Sequence, residues 1–294
     1  MNSILNVSNE FLNFSINRYP VKNNSINFEA FFYNYFKENN QINSEYTYIP
    51  IQWTNYLVNN DYGNNIDNLI NFCNNQINRK KKYFTIVQYA GGPLVELHNT
   101  KIFSMGGTFN TKVPKTSSVI PLPLVYEPFL VPKENKEKQF IGSYIGRSTH
   151  KLRTEMVNKL QSNSNFYVQN LDYMDSNILE QDANKFKQLI SESYFSLCPR
   201  GYGPTSFRLY ESIKSGSVPV YISDEHFLPY TEEINWSDFA LILKPRHLNK
   251  LPKILNNEIS SGRYEKLYGN LQLIKDNFFN FNSMASYVLK KISE

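Results

Sequence analysis

The sequence predicts an α/β fold built as two Rossmann-like halves, on three observations. Apolar, β-rich runs end repeatedly at glycines, strand and helix patterns alternate beyond residue 140, and a proline-rich, charged stretch separates that region from what precedes it. Strands that stop at glycine-bearing loops mark a parallel sheet whose loops gather along one edge, the edge where such folds place their ligands. A chain of 294 residues has room for two domains of ordinary size.

Taken in order, Ile26 to Ile77 is aromatic-rich and reads as mostly helical. Its FEAFFYNYFKE run carries large apolar side chains on more than one helix face, as a helix packed on two sides does. YFTIVQYA (Tyr83 to Ala90) is a buried strand stopped by Gly91-Gly92-Pro93, and KIFSMGG (Lys101 to Gly107) is a second. After Val119, the run IPLPLVYEPFLVPKENKEKQ holds four prolines and then charges, which reads as the interdomain linker. Beyond it come strand FIGSYIG, helix HKLRTEMVNKLQ, strand FYVQNL, helix NKFKQLISES and strand YFSLCP. A helix over Ser206 to Ser215, strands VPVYIS and FALILK, and helices near Tyr264 to Phe278 and Asn282 to Ile292 complete the chain. The expected domains are 1–136, 137–275, and a C-terminal helix, 276–294, packing back on the first.

Composition bounds the function. The net charge of +5 is mild, and the basic run Arg79 to Lys82 directly precedes an apolar strand, so it reads as a solvated strand start and not as a nucleic-acid patch. An anionic small ligand is enough to explain the surplus. Abundant Asn, often in pairs between apolar stretches, reads as turn punctuation. Cys73 and Cys198 fit neither a metal nor a disulfide framework, and neither is a favoured nucleophile. No basic-then-apolar leader and no run of about 20 apolar residues is present, so the expectation is a soluble, cytoplasmic chain without a membrane span.

The stretch YFSLCPRGYGPTSFRLYESIKSGSVPVYISD (Tyr194 to Asp224) carries the chemistry. A strand leads into Arg200, Gly201, Tyr202, Gly203, Pro204, Thr205 and Ser206, then into the helix at about Ser206 to Ser215, with Phe207 in its first turn and Gly216 as its C-terminal cap. Glycines admit a ligand close to the backbone, and the helix offers unpaired N–H groups with a positive dipole end, together a diphosphate cradle. Ser206 or Thr205 is suited to cap that helix and meet a phosphate oxygen, while Arg208 supplies a permanent charge. Glu211, one turn on, shares its face and suits two ribose hydroxyls. On the residues alone, Arg208 with Glu211 also reads as a surface ion pair.

That string, continued by LPYTEEINWSDFALIL, closely resembles the signature of the exostosin-like glycosyltransferases, glycosyltransferase family 47. The resemblance extends more weakly to FIGSYIGRSTHKLR, where Arg147 or Arg153 matches the family's arginine, and to the C-terminal helices. It implies a GT-B architecture, two Rossmann-like domains facing across a donor/acceptor cleft, with a UDP-sugar held by the second domain and inversion at the anomeric carbon. Arg200, Ser206, Arg208 and Glu211 then fall on the donor motif, Glu211 as the ribose carboxylate. The implied partners are a UDP-sugar, with xylose or galactose expected, and a glycan acceptor; nucleic acid is not among them.

The chain contains no D-x-D, and Asp172 with Asp175 form only a D-x-x-D, so no metal or cofactor is expected. Charge on the departing UDP then falls to Arg208, Arg147 or Arg153, and the helix N-terminus. A general base is still needed. Glu96 and His98, after GGPLV, are the first candidates, with Asp224 and Glu225 as rivals and His150, His226 and His247 weaker. Asp224 equally fits a cap on the next turn. The alternative reading is an inactive relative that binds nucleotide sugars or glycans; a sugar-nucleotide epimerase lacks support without an early G-x-G-x-x-G.

Overall fold

A computed structural model describes residues 3–14, 26–39, 44–127, 137–171 and 180–294. Its strands are β1 (Tyr46–Tyr48), β2 (Lys82–Val87), β3 (Thr100–Ser104), β4 (Ser118–Pro121), β5 (Phe140–Arg147), β6 (Phe166–Leu171), β7 (Ser193–Pro199), β8 (Val218–Ile222) and β9 (Leu241–Leu243). Its helices are α1 (Phe28–Glu38), α2 (Trp53–Asn59), α3 (Asp67–Gln76), α4 (Lys151–Leu160), α5 (Glu180–Glu192), α6 (Phe207–Lys214), α7 (Leu251–Ser260), α8 (Arg263–Phe278) and α9 (Phe281–Ser293). The chain divides into two compact units, Met1–Glu127 with Asn280–Glu294, and Pro128–Phe279. Each holds one parallel sheet, so both are Rossmann-like α/β units.

In the first unit the strand order is β1-β2-β3-β4, all parallel. Strand β2 is buried along its length except at Lys82, as a central parallel strand must be when helices cover both faces. Aromatic side chains fill that cover. Tyr48 stacks on Phe84 at 4.9 Å, Phe32 meets Phe84 edge-on at 6.1 Å, and Phe281 of α9 lies 5.3 Å from Phe28 of α1. Each fully buried Phe contributes about 1.5–3 kcal/mol of apolar transfer. The Asn27 side chain caps α1 by accepting from the Ala30 amide at 2.9 Å.

Two elements differ from the sequence reading. Strand β1, with three residues in a region read as helical, is too short to show a period of two. Strand β4 occupies Ser118–Pro121, where the linker was expected to begin; it is an edge strand, and an edge tolerates the missing N–H of Pro121. Residues 128–136 of that expected linker lie outside the described residues.

In the second unit the order is β6-β5-β7-β8-β9, again all parallel. The chain leaves β5 for β6 on one side and returns to β7 on the other. A topological switch point therefore lies between β5 and β7, and the crevice beyond their C-terminal ends is where an open parallel sheet binds its ligand. Those ends are Arg147 and Pro199. Helix α6 stops at Gly216, whose φ of +71° is left-handed, and the Gly216 and Ser217 amides close back on the carbonyls of Ile213 and Ser212, each at 2.9 Å. Trp236 is structural: its indole N–H donates to the Pro229 carbonyl at 2.7 Å and its ring packs against Phe239 and Phe279. Helix α7 was not anticipated; Pro252 opens it, a position that needs no N–H. No helix among the described residues is long and apolar enough to cross a membrane.

Candidate functional site

The site grows from the end of β7. The Arg200 amide still bonds to the Ile222 carbonyl at 2.9 Å, and Gly201 N–H then donates to the Thr205 carbonyl at 3.1 Å, closing residues 201–205 into a tight loop. Gly201 is packed hard. A Cβ there would sit 3.1 Å from Arg153 Nη2 and 3.6 Å from Thr149 Oγ1, so the loop rests against the segment that follows β5. Gly203 is buried within the loop and Phe207 half-buried at the start of α6. Tyr202 projects outward, 67% exposed.

Ser206 occupies the N-cap position of α6, yet its side chain makes no capping bond, contrary to expectation. Its Oγ, Thr205 Oγ1 and Thr149 Oγ1 are all buried, and none has a hydrogen-bond partner among the described residues. Buried hydroxyls in folded proteins normally find a partner. These three lie together on the two loops that follow β5 and β7, at the switch point. Thr149 gave no signal in the sequence.

The arginines differ in what they hold. Arg153 is buried and donates to three carbonyls, Arg200 at 2.8 Å, Arg147 at 3.0 Å and Pro199 at 3.4 Å. It ties the ends of β5 and β7 together, a structural role that the expectation of a phosphate contact did not include. Arg200 is likewise committed: it is ion-paired to Asp224, lies 3.4 Å from Glu225, and donates to the Tyr202 carbonyl at 3.3 Å. Arg208 is different. From the first turn of α6 it reaches across to β5, where Nη2 donates to the Ile145 carbonyl at 2.7 Å, while Nη1 lies 3.1 Å from Glu211 Oε2. Its guanidinium lies 3.4 Å over the Phe186 ring, and its Nε has no hydrogen-bond partner among the described residues. The pair with Glu211 is no surface pair, since the two side chains are 17% and 13% exposed. Arg147, the last residue of β5, is half-buried at the same edge.

Electrostatics weaken Asp224 as a base. Burial raises its pKa, but the hydrogen bond and charge of Arg200, with help from its own amide and from His150, outweigh that and leave the carboxyl below its usual range. His150 caps α4, its Nδ1 accepting from the Leu152 amide at 3.2 Å, which puts the ring proton on Nε2. Burial, then the charge of Arg200, lowers its pKa, with Asp224 opposing. His247 accepts the Lys244 amide at 3.1 Å, and His226 is exposed. Burial pushes the Cys198 thiol up to about 11 and the Cys73 thiol up to about 12, so neither is a thiolate nucleophile.

Glu96 and His98 do not lie at the C-terminal edge of the first sheet. Between β2 and β3 the chain crosses from the C-terminal to the N-terminal edge of the sheet, and these two sit at the end of that crossing. Asn99 beside them accepts the amide of Tyr83 near the start of β2, and Thr100 N–H donates to Ser117 just before β4. They therefore lie near the N-terminal edge, opposite the ligand-binding edge. Glu96 pairs with Lys112 at 2.9 Å, and that hydrogen bond and charge lower its pKa, making it a weaker base. Among the described residues no three His, Cys, Asp or Glu side chains gather as a metal site, and Asp172 with Asp175 lies outside those residues.

With this geometry in place, the profile of the Exostosin GT47 domain matches residues 91–257, more than half of the 294-residue chain. The chain belongs to the exostosin GT47 family. The resemblance read from the loop after β7 is thereby borne out, and two parallel α/β units are the architecture it implied. An exostosin-1 homolog of Caenorhabditis elegans is 35% identical over 100 residues, 34% of this chain and 26% of that protein. A protein of Arabidopsis thaliana named probable glucuronoxylan glucuronosyltransferase IRX7 is 33% identical over 107 residues, 36% of this chain and 22% of that one. The matched region thus spans about a quarter of such relatives' length. Among solved structures, Anabaena HepE in complex with UDP-glucose aligns with a TM-score of 0.43 at 9% identity, covering 85% of this chain and 78% of that one. A likeness that distant carries nothing about this chain's ligand.

Proposed function

We propose that the second unit binds the UDP of a UDP-sugar and that the chain transfers the sugar to a glycan hydroxyl with inversion and without a metal ion. The observation that carries this reading is the set of unpartnered buried hydroxyls of Thr149, Thr205 and Ser206 at the switch point, beside Arg208 and the N-terminus of α6. Diphosphate oxygens supply the missing partners for those hydroxyls. Helix α6 directs its N-terminal, positive dipole end to the same place. Arg208, held against Phe186 and by the Ile145 carbonyl, is preorganised to stabilise charge on the leaving diphosphate, the task a metal performs elsewhere. Glu211 is fixed by Arg208 and takes ribose hydroxyls, and exposed Tyr202 is free to stack on the ligand.

In the reaction the acceptor oxygen attacks the anomeric carbon from the face opposite UDP. The bond from that carbon to the diphosphate oxygen breaks, UDP leaves with the electron pair, and the acceptor's proton passes to a base. The family resemblance suggests UDP-xylose or UDP-galactose as donor, and the names of two plant relatives point to UDP-glucuronate. A thermal-shift series with UDP and these three sugars tests the reading, because a bound ligand at 100 times its Kd stabilises the fold by about 2.7 kcal/mol. No shift with any of them refutes it. An inactive relative binds but releases no free UDP on prolonged incubation, whereas a transferase hydrolyses its donor slowly.

A further inference from the structure

The ligand-binding edge of the first unit carries its own set of buried polar groups, and the donor motif does not involve them. Gln88 follows β2, Gln52 and Thr54 begin α2, and Asn27 and Glu29 begin α1. All five are at most 2% exposed. Glu29 organises them. Its Oε1 accepts from the Gln88 amide at 2.7 Å and from the Thr54 hydroxyl at 2.8 Å, its Oε2 accepts from the Thr54 amide at 3.0 Å, and its carbonyl accepts from Gln52 Nε2 at 3.3 Å.

What remains is unsatisfied. Both Nε2 and Oε1 of Gln88, Oε1 of Gln52 and Nδ2 of Asn27 are buried with no hydrogen-bond partner among the described residues. That leaves two amide donors and two amide acceptors around one carboxylate, in a protein interior where such groups are normally paired. The chemistry of the missing partner follows by elimination. An apolar occupant would leave all four atoms unpaired, and an anion would face the Glu29 carboxylate. A neutral hydroxyl, of a sugar or of water, both donates and accepts, so it matches every group present.

We propose that Asn27, Gln52 and Gln88, gathered around Glu29 at the C-terminal edge of the first sheet, form a binding site for the hydroxyl groups of an acceptor sugar. The proposal rests on the glycosyltransferase reading and deepens it by assigning groups to the acceptor. Burial raises the Glu29 carboxyl to about 7, so near neutrality it is able to take a proton from a hydroxyl as well as to hold one.

The test is saturation-transfer NMR on the whole chain with methyl β-D-xylopyranoside and methyl β-D-galactopyranoside, and with UDP as a separate ligand. The wild-type protein is expected to show transfer to at least one glycoside. Gln88→Met and Gln52→Met, close in volume and lacking the amide, are expected to weaken that binding about tenfold, the scale of one lost hydrogen bond. The Tm of Gln88→Met should be equal or higher, because both amide atoms it removes are unpaired, whereas Gln52→Met also gives up its bond to the Glu29 carbonyl and should be somewhat less stable; UDP affinity should be unchanged in both. If the wild type binds UDP but neither glycoside, the groups hold ordered water and the proposal is overturned. Glycoside binding that both variants retain overturns it as well. Absence of UDP binding with amide-dependent glycoside binding intact would instead remove the donor reading and leave this site standing.

Discussion

Arg208→Ala removes the arginine that joins α6 to β5 and keeps an unpartnered Nε, and it should produce two separable losses. The first is in ligand binding. A charge-assisted hydrogen bond to a phosphate contributes about 1.5–3 kcal/mol, which weakens UDP binding about 10- to 150-fold when it is lost. The second is in folding. The side chain bonds to the Ile145 carbonyl at 2.7 Å, pairs with Glu211 at 3.1 Å and covers Phe186. Truncation leaves a largely buried Glu211 without this cation, and breaking such a pair costs about 3–5 kcal/mol. Isothermal calorimetry with UDP, at a temperature where circular dichroism shows the variant folded, reads the first effect, and chemical denaturation the second. Arg208→Lys, which keeps charge but loses the planar fork, should fall between wild type and alanine in both. A folded Arg208→Ala protein that binds UDP with wild-type affinity would refute the assignment, whatever its stability.

Gly216→Ala places a Cβ at a φ of +71° and 2.9 Å from Gln272 Oε1, so denaturant titration should show a loss of about 1–2 kcal/mol without change in UDP affinity. Glu29 gives the fold a pH dependence of definite sign. Its folded pKa of about 7 lies above its ordinary 4.5, so the native state keeps this proton longer than the unfolded one. Its contribution is fully present below pH 4.5 and is lost as pH rises to about 7, a fall of about 3 kcal/mol. Urea titrations at pH 5 and pH 8 should show that slope flattened in Glu29→Gln, and an unchanged slope would contradict the burial argument. EDTA should leave sugar transfer intact, and loss of transfer with recovery on adding manganese would refute the metal-free reading.

Much of this architecture was legible because parallel strands buried on both faces leave continuous apolar runs, and β2, β5, β7 and β8 all read that way. Gly216 was legible as a cap because helix endings favour residues free at positive φ. Strand β1 was not, since three residues carry no periodicity, and β4 was hidden because prolines normally argue against strands. The donor loop could be located from its glycines and arginines, but the partners of each arginine depend on residues far away in sequence. Arg153 bonds to carbonyls 46 and 47 positions on, which no local pattern encodes. Glu96 and His98 looked suitable because they follow a glycine loop; whether such a residue sits at the near or far edge depends on where the chain crosses the sheet. Glu29 offered one faint signal, an acidic residue in a helix apolar on several faces, where a buried carboxylate is hard to avoid.

A crystal structure with UDP tests the central claim most directly. The account predicts the diphosphate at the ends of β5 and β7, within hydrogen-bond distance of Thr149, Thr205 or Ser206 and of Arg208, with the ribose against Glu211. UDP bound elsewhere, or a loop at 200–206 left unchanged and empty at saturating ligand, would contradict it.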